Sequence, residues 1–487
     1  MLLEREKCYE ALLSHDTRFD GRFFVGVTST GIYCRPVCRV RPPQLRNCNF
    51  YVSAAAAEAA GFRPCLRCRP ELAPGHADVE SGARIAQMAA NALRSHEEGD
   101  ETLEELARRL GVTDRHLRRV FSAEYGVAPI QYAQTQRLLL AKRLLADTDL
   151  PVSEIAFASG FRSLRRFNAL IQERYRLSPT AMRHSRGQKP ETTEADFLHF
   201  DLAYRPPLAW AYLLAFLAGR AIPGVESVEN GVYYRAIALS HAGQRLTGVF
   251  KVEQSTRENY LRLTIPAHIL PVLTPVMDKT KRLFDLSADP LAVSESLGSL
   301  AKSLPGARVP GCIDEFELAV RAVVGQQVSV KGARTLLGRI AAAFGSVSEA
   351  SSLAPELTLA FPPAADLAQR ELSEITALGL TKARASTIIT LARAVVSGRL
   401  RLQPGAPIHE SLQALRNLPG IGEWTAQYIA MRALAWPDAF PHGDLVLRKA
   451  LGGVTPKRCL ELAEPWRPWR AYAAIHLWHS TTINNQL

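Results

Sequence analysis

Residues 415–451 read LRNLPGIGEWTAQYIAMRALAWPDAFPHGDLVLRKAL, and the reading of this stretch decides what the C-terminal half of the chain is. An apolar run ends in the tight turn Leu418-Pro419-Gly420-Ile421-Gly422, and a second helix opens at Glu423 or Trp424. Glycine at 420 and 422 permits positive φ and removes the Cβ atoms that would hold a ligand off the backbone. The following helix N-terminus offers unpaired N–H groups and a positive dipole end, which suits a phosphate. A glycine turn alone is more often a plain corner between helices. What sets this one apart is an isolated acid, Asp444, farther on and just ahead of another helical pattern.

The 487 residues suffice for roughly three to four domains, each with its own core. Apolar content of 47% and charged content of 22% describe an ordinary globular chain, which excludes a disordered or fibrous class. No run has the length of a membrane span, and the N-terminal MLLEREKCYEALL lacks a secretory cleavage pattern, so a cytoplasmic location is expected. A net charge of +12 points to a polyanionic partner.

Four of the eight cysteines fall as Cys34-x3-Cys38 and Cys65-x2-Cys68, while Cys8, Cys48, Cys312 and Cys459 are scattered. Two short-spaced pairs separated by a loop are what one tetrahedral Zn²⁺ requires, each pair clamping an edge. The stretches DGRFFVGVTSTGIYCRPVCRVRPPQLRNCNFY and AAGFRPCLRCRPE resemble the N-terminal domain of the adaptive-response Ada family. That resemblance implies that zinc keeps the four thiolates deprotonated and that the first cysteine of TGIYCRP, here Cys34, accepts a methyl group from a DNA phosphotriester. Loss of negative charge on methylation would raise affinity for DNA, so the transfer would serve as a damage sensor. Arg35, Arg39, Arg41, Arg46, Arg63, Arg67 and Arg69 crowd this region and are expected to suit phosphate contacts.

Between the polar break at 97–100 and the linker-like 183–194, an internal repeat pairs LEELARRLGVTDRHLRRVFSAEYGVAP with SEIAFASGFRSLRRFNALIQERYRLSP. In each copy a helix ends at glycine (Gly111, Gly160), a short turn follows and an arginine-bearing helix begins. Two such halves joined by a long helix over 130–146 resemble the AraC-type DNA-binding domain, with recognition helices at 113–125 and 163–175. Arg115, His116, Arg118 and Arg119, and Arg165, Arg166 and Asn168, are then the candidate DNA contacts.

Residues 196–300 read as α+β, with strand alternation in VYYRAIAL, LTGVFKVEQ and YLRLTIP and a helix near 269–284. The pattern from 311 onward is almost wholly helical. FELAVRAVVGQQVSV, the PGIG turn, PHGD and VTPKRCLELAEPWRPWRAYAAIHLWH follow one another in the order of the helix–hairpin–helix DNA glycosylase superfamily, and the chain resembles its 3-methyladenine DNA glycosylase II branch. The resemblance makes 418–422 the hairpin, with Leu418, Gly420 and Gly422 holding a DNA phosphate. It also implies a monovalent cation on the carbonyls of Arg416, Leu418 and Ile421. Asp444 matches the catalytic aspartate, and Trp424, Tyr428 and Trp478 match aromatic positions of the base pocket. Gln327 falls at the wedge position, where a related glycosylase has leucine. Trp424 stands where bifunctional members carry a Schiff-base lysine, so no lyase step is expected.

The expected fold is therefore multidomain. A small zinc α+β domain (1–75) precedes an all-α double helix–turn–helix domain (80–185), an α+β glycosylase N-terminal domain (195–305) and an all-α helix–hairpin–helix glycosylase domain (306–487). The expected partners are alkylated and promoter double-stranded DNA and RNA polymerase, without a membrane, and the expected state is a monomer. No Pro-Cys-His-Arg acceptor motif occurs, so O6-methylguanine repair is not predicted. Two other readings stay open: a methylation-sensing activator whose glycosylase-like domain only binds DNA, and a glycosylase for deaminated or oxidised bases with a structural zinc.

Overall fold

The computed structural model describes residues 5–16, 19–73, 84–95, 102–110, 112–148, 150–184, 196–241, 243–348, 351–403, 406 and 408–484. Gly111, the polar break at 97–100 and the linker from 185 to 194 lie outside these residues. The chain divides into two compact units. The first comprises Met1–Pro206, His241–Gly243 and Ser255–Asp278, and the second comprises Pro207–Ser240, Gln244–Gln254 and Lys279–Leu487.

In the first unit a four-stranded sheet runs in the order Cys48–Tyr51, Phe24–Val27, Ile32–Cys34, Arg63–Pro64. The first three strands are antiparallel and the last is parallel to its neighbour. Alternation along Phe24–Val27 sends Val25 to a core with Cys8, Ala11 and Leu12 of helix Arg5–Leu13, and Phe24 to a core with Tyr33, Ala54 and Ala57. Helix Ala54–Ala59 starts because the Ser53 hydroxyl accepts the Ala56 N–H at 3.0 Å.

The internal repeat is physical as well as textual. Helices Asp114–Tyr125 and Leu164–Tyr175 are capped by Thr113 and Ser163, whose side chains accept from His116 and Arg166 N–H. Leu117, Phe121 and Tyr125 are buried in the first copy, and Phe167, Ile171 and Tyr175 in the second. Ala107 and Ala156, both buried, sit on the preceding helices Leu103–Arg109 and Val152–Ala158. Between the copies runs helix Pro129–Asp147, with proline at its first position, where no N–H is needed. Strands Phe197–Ala203 and Tyr260–Pro266 complete the unit as an antiparallel pair in register from Phe197↔Pro266 to Ala203↔Tyr260. The helix expected near 269–284 is a 3₁₀ turn, Ala267–Val272, followed by helix Leu273–Leu283; Pro271 removes a ladder donor at the junction.

Glu58 is a buried acid of this unit, bonded by the Tyr33 hydroxyl at 3.0 Å and the Thr135 hydroxyl at 3.3 Å. Burial pushes its carboxyl up to about 7, against the pull of Tyr33 and of Arg174. A raised carboxyl is a proton the folded chain keeps and the unfolded chain releases. The resulting penalty is absent at low pH, grows as pH rises from 4.5 to about 7 and is constant above that. Glu58→Gln is therefore expected to gain stability relative to the parent by about 1 kcal/mol between pH 6 and 8, with no further change at higher pH. Denaturant unfolding of the two proteins across that range checks this, and a difference independent of pH contradicts it.

The second unit holds strands Gln244–Gln254, Val232–His241 and Glu226–Glu229 side by side and helix Trp210–Ala218. A buried quartet ties these strands to helix Glu315–Val324. Arg235 bonds Glu226 at 3.0 Å and Glu317 at 3.2 Å, Arg321 bonds Glu317 at 2.8 Å, and Arg321 also pairs with Glu226. Removing one member of such a group leaves a buried charge uncompensated, at about 3–5 kcal/mol. The remaining helices include Val330–Phe344, Lys382–Val396, Ile408–Arg416, Glu423–Arg432, Leu445–Ala450, Pro456–Ala463 and Arg470–Asn484. One departure from the expected all-helical pattern is a short ribbon of Ser346–Val347 with Leu359–Ala360. Among the described residues no helix is long and apolar enough to cross a membrane.

Candidate metal centre and nucleic-acid interface

The Sγ atoms of Cys34, Cys38, Cys65 and Cys68 lie within 4.8 Å of one another, at the end of strand Ile32–Cys34 and on the loops that follow it and strand Arg63–Pro64. Cys34, Cys38 and Cys65 are buried, and Cys68 is partly exposed. Thiols this close compete for protons. Shared hydrogen bonds with Cys38 and Cys65, and burial, push Cys34 up, while bonds from its neighbours pull Cys65 down. All four can be thiolates together only around a cation, so the donor set and spacing fit one zinc held by four cysteines.

Not all the arginines around this centre are free for phosphate, as the sequence suggested. Arg35 exposes only 1% of its surface. It pairs with Asp20 and donates to the Cys68 carbonyl at 3.0 Å. Its place beside Cys34 made it look like a DNA contact, but its guanidinium braces the metal loop. Arg69 is likewise engaged, by Glu71 at 3.0 Å and Asp147 at 2.5 Å. Arg39, Arg41, Arg46 and Arg67 are exposed, and Arg63 is half-buried.

On the repeat helices Arg115, Arg118 and Arg119 are exposed and His116 half-buried, opposite the buried stripe; Arg165, Arg166 and Asn168 are exposed in the second copy. Arg118 is bridged to Asp114 at 2.7 Å, and Arg119 lies 3.2 Å from the His116 ring.

In the second unit the hairpin is built as a turn with one position in the left-handed region. Gly420 has φ +86°, and a Cβ there would meet the Thr387 hydroxyl at 2.1 Å. Gly422 does not use positive φ: it sits at −87° as the residue before helix Glu423–Arg432. A Cβ at 422 would meet nothing within 4 Å, so the glycine leaves the helix N-terminus bare toward solvent. The Thr387 hydroxyl donates to the Pro419 carbonyl at 3.0 Å, and the Leu418 carbonyl accepts from Ile421 N–H. Arg416, beside the turn, is paired with Glu423 at 2.6 Å.

Asp444 is both a helix cap and something more. Its Oδ1 accepts from Val446 N–H at 2.9 Å and Leu447 N–H at 3.0 Å, which starts helix Leu445–Ala450. Two indoles also aim at it: Trp424 Nε1–H donates to Oδ2 at 3.0 Å and Trp478 Nε1–H to Oδ1 at 3.1 Å. Trp424 stacks on Tyr428 at 5.3 Å and 13°, and Tyr428 meets Trp478 at 6.4 Å, so the three expected aromatics do form one cluster. Behind it, Arg432 donates to the Tyr428 hydroxyl at 2.7 Å and to the Pro310 and Gly311 carbonyls. Burial pushes the Tyr428 phenol up, but Arg432 and Arg220 outweigh it and hold it below the ordinary tyrosine range.

Asp444 and Trp424 open on a groove of about 800 Å³ that is also lined by Gln326, Gln327, Gly420 and Gly422. Gln327 is exposed in the left-handed region at φ 52°. Its neighbour Gln326 was not singled out from sequence, yet it joins the end of helix Glu315–Val324 to the hairpin. Its side-chain amide donates to the Gly420 carbonyl and the Thr425 hydroxyl, both at 2.9 Å, and its own carbonyl takes a bond from Arg384. The repeated glutamine at 326–327 was the available signal.

A tetrathiolate centre and a helix–hairpin–helix groove with a braced carboxylate define a multidomain zinc protein built to meet DNA. Four family descriptions match it in order: Metal binding domain of Ada (7–71), Helix-turn-helix domain (106–185), AlkA N-terminal domain (199–314) and HhH-GPD superfamily base excision DNA repair protein (320–456). The chain is 38% identical to the probable bifunctional transcriptional activator/DNA repair enzyme AlkA of Mycobacterium tuberculosis (strain H37Rv), over 99% of itself and 97% of that protein, and it belongs to this family. DNA-3-methyladenine glycosylase 2 of Escherichia coli (strain K12) is 36% identical over 58% of the chain and 97% of its own length. The 3-methyladenine DNA-glycosylase of Archaeoglobus fulgidus, at 19% identity, shares the fold with a TM-score of 0.50 over 59% of this chain and 100% of its own.

Proposed function

We propose that the chain is an alkylation-response repair protein with two reactive centres and a promoter-binding module. One centre hydrolyses the N-glycosidic bond of alkylated bases such as 3-methyladenine in duplex DNA. The other accepts a methyl group from a DNA phosphotriester on Cys34. The observation that carries the first is the Asp444 carboxylate held by four N–H donors beside the hairpin. A helix cap needs only the backbone pair. The two indoles add nothing to capping, but they fix the carboxylate where positive charge develops at C1′ as the base departs. The flipped base enters the cluster of Trp424, Tyr428 and Trp478, where stacking and cation–π attraction favour a cationic alkylated purine. Gln327 fills the vacated stack, the hairpin holds the phosphate through Leu418, Gly420 and Gly422, and the carbonyls of Arg416, Leu418 and Ile421 serve a monovalent cation.

Zinc, when bound, lowers the proton affinity of the thiols and so supplies a nucleophile at neutral pH. The sulfur of Cys34 attacks the methyl carbon of the triester, a C–S bond forms, the C–O bond breaks, and the phosphate oxygen leaves with the electron pair. The sulfur loses its negative charge in the process. Arg115, His116, Arg118, Arg119, Arg165, Arg166 and Asn168 contact promoter DNA, and RNA polymerase is the partner of the activator role. The domains run 1–75, 80–185, 195–305 and 306–487, and the protein acts as a cytoplasmic monomer.

With Trp424 in place of an amine, the glycosylase step is hydrolytic. Incubation with alkylated duplex is expected to release free base and leave an intact abasic strand with no borohydride-trapped adduct. A trapped adduct overturns the hydrolytic reading.

A further inference from the structure

We propose that the zinc module is the hub of the first unit, and that the loading of its four cysteines governs the order of two segments that carry no ligand: helix Pro129–Asp147 and strand Tyr260–Pro266. The first link runs from the second cysteine pair to the helix. Lys142, 3% exposed, donates to the Cys65 carbonyl at 3.3 Å and pairs with Glu71 at 2.6 Å. Arg69, next to Cys68, is fixed by Asp147 near the end of the same helix. The apolar contacts agree: Leu139 shares a core with Phe24, Tyr33, Ala54 and Ala57, and Ala55 shares one with Leu106, Leu117, Phe121 and Tyr125. The Ser53 hydroxyl closes the joint on the Tyr125 carbonyl at 2.9 Å, the last residue of the first candidate recognition helix.

The second link runs through Arg35. Its backbone N–H donates to Cys68 Sγ at 3.4 Å, and its guanidinium reaches both the Cys68 carbonyl at 3.0 Å and the Tyr260 hydroxyl at 2.9 Å. Tyr260 opens the strand and is covered by the Arg257 guanidinium at 4.2 Å, which in turn holds Asp201 at 3.2 Å. Arg143 completes the triangle, donating from the long helix to the Asp201 carbonyl at 2.7 Å. The backbone around Cys65 and Cys68 is thus what Lys142 and Arg35 grip. If those loops lose the geometry that the metal imposes, Lys142 and Arg35 keep their carboxylates, Glu71 and Asp20, but lose the Cys65 and Cys68 carbonyls, and a buried N–H donor without its acceptor is costly.

Hydrogen exchange on the full chain, zinc-loaded and after treatment with a chelator, tests this. Metal removal is expected to cut amide protection by about 100-fold or more in 129–147 and 260–266 as well as in 19–73, while helix Glu423–Arg432 keeps its protection. Loss confined to 19–73, or loss extending to 423–432, overturns the proposal. A second arm removes one hydroxyl only. Zinc-loaded Tyr260→Phe is expected to lose about 10-fold protection in 260–266 and none in 129–147. Unchanged protection in the strand overturns the Arg35 link.

Discussion

Asp444→Asn is expected to slow release of 3-methyladenine from alkylated duplex by about 10³-fold or more while duplex affinity stays within a few-fold. Asparagine caps a helix about as well as aspartate, so Val446 and Leu447 keep their acceptor and helix Leu445–Ala450 survives. What is lost is the charge. The amide nitrogen must also face one of the two indole N–H groups, a donor against a donor, and the group turns away from the position those indoles impose. Stabilising a developing oxocarbenium ion by a fixed carboxylate is worth about 4 kcal/mol, which corresponds to the stated factor. Single-turnover base release, with gel-shift affinity on the same protein, separates the two effects. Unchanged release would mean that Asp444 is a cap and that the domain only binds DNA.

The second large effect lies in the other unit. Cys34→Ala is expected to abolish methyl transfer from phosphotriesters to the protein while leaving base release at the parental rate. Cys34 exposes 5% of its surface and Cys68 is the more open ligand, so the assignment is a strong test of geometry against exposure. Only a methyl carbon has to reach the sulfur, and Cys34 ends strand Ile32–Cys34 at the edge of the metal loop. Peptide mass spectrometry after exposure to methylated DNA decides it. A methyl group still found on the variant, for instance at Cys68, sinks the assignment.

Most of the architecture was readable from local chemistry. Two short cysteine pairs carry a metal site whatever surrounds them. Thr113 and Ser163 cap equivalent helices because the repeat preserves both the cap and the buried stripe. The glycine turn and Asp444 were legible as an ordered pair. Side-chain direction was not. That Arg35 turns inward depends on Asp20, and that Trp424 and Trp478 point their N–H groups at one carboxylate depends on helices 423–432 and 470–484 converging. Gly422 was read as a second positive-φ position, but its backbone is extended and its role is to leave space. Gln326 escaped notice because its partners, Gly420 in the turn and Thr425 on helix Glu423–Arg432, lie far along the chain.

The most direct test of two independent reactive centres in one chain is a partition of label. DNA treated with a radiolabelled methylating agent is incubated with the parent, Asp444→Asn and Cys34→Ala, and the label is counted as free base and as protein adduct. Both fractions are expected for the parent, adduct without free base for Asp444→Asn, and free base without adduct for Cys34→Ala. Loss of both fractions in either variant, or of neither, would contradict two independent centres.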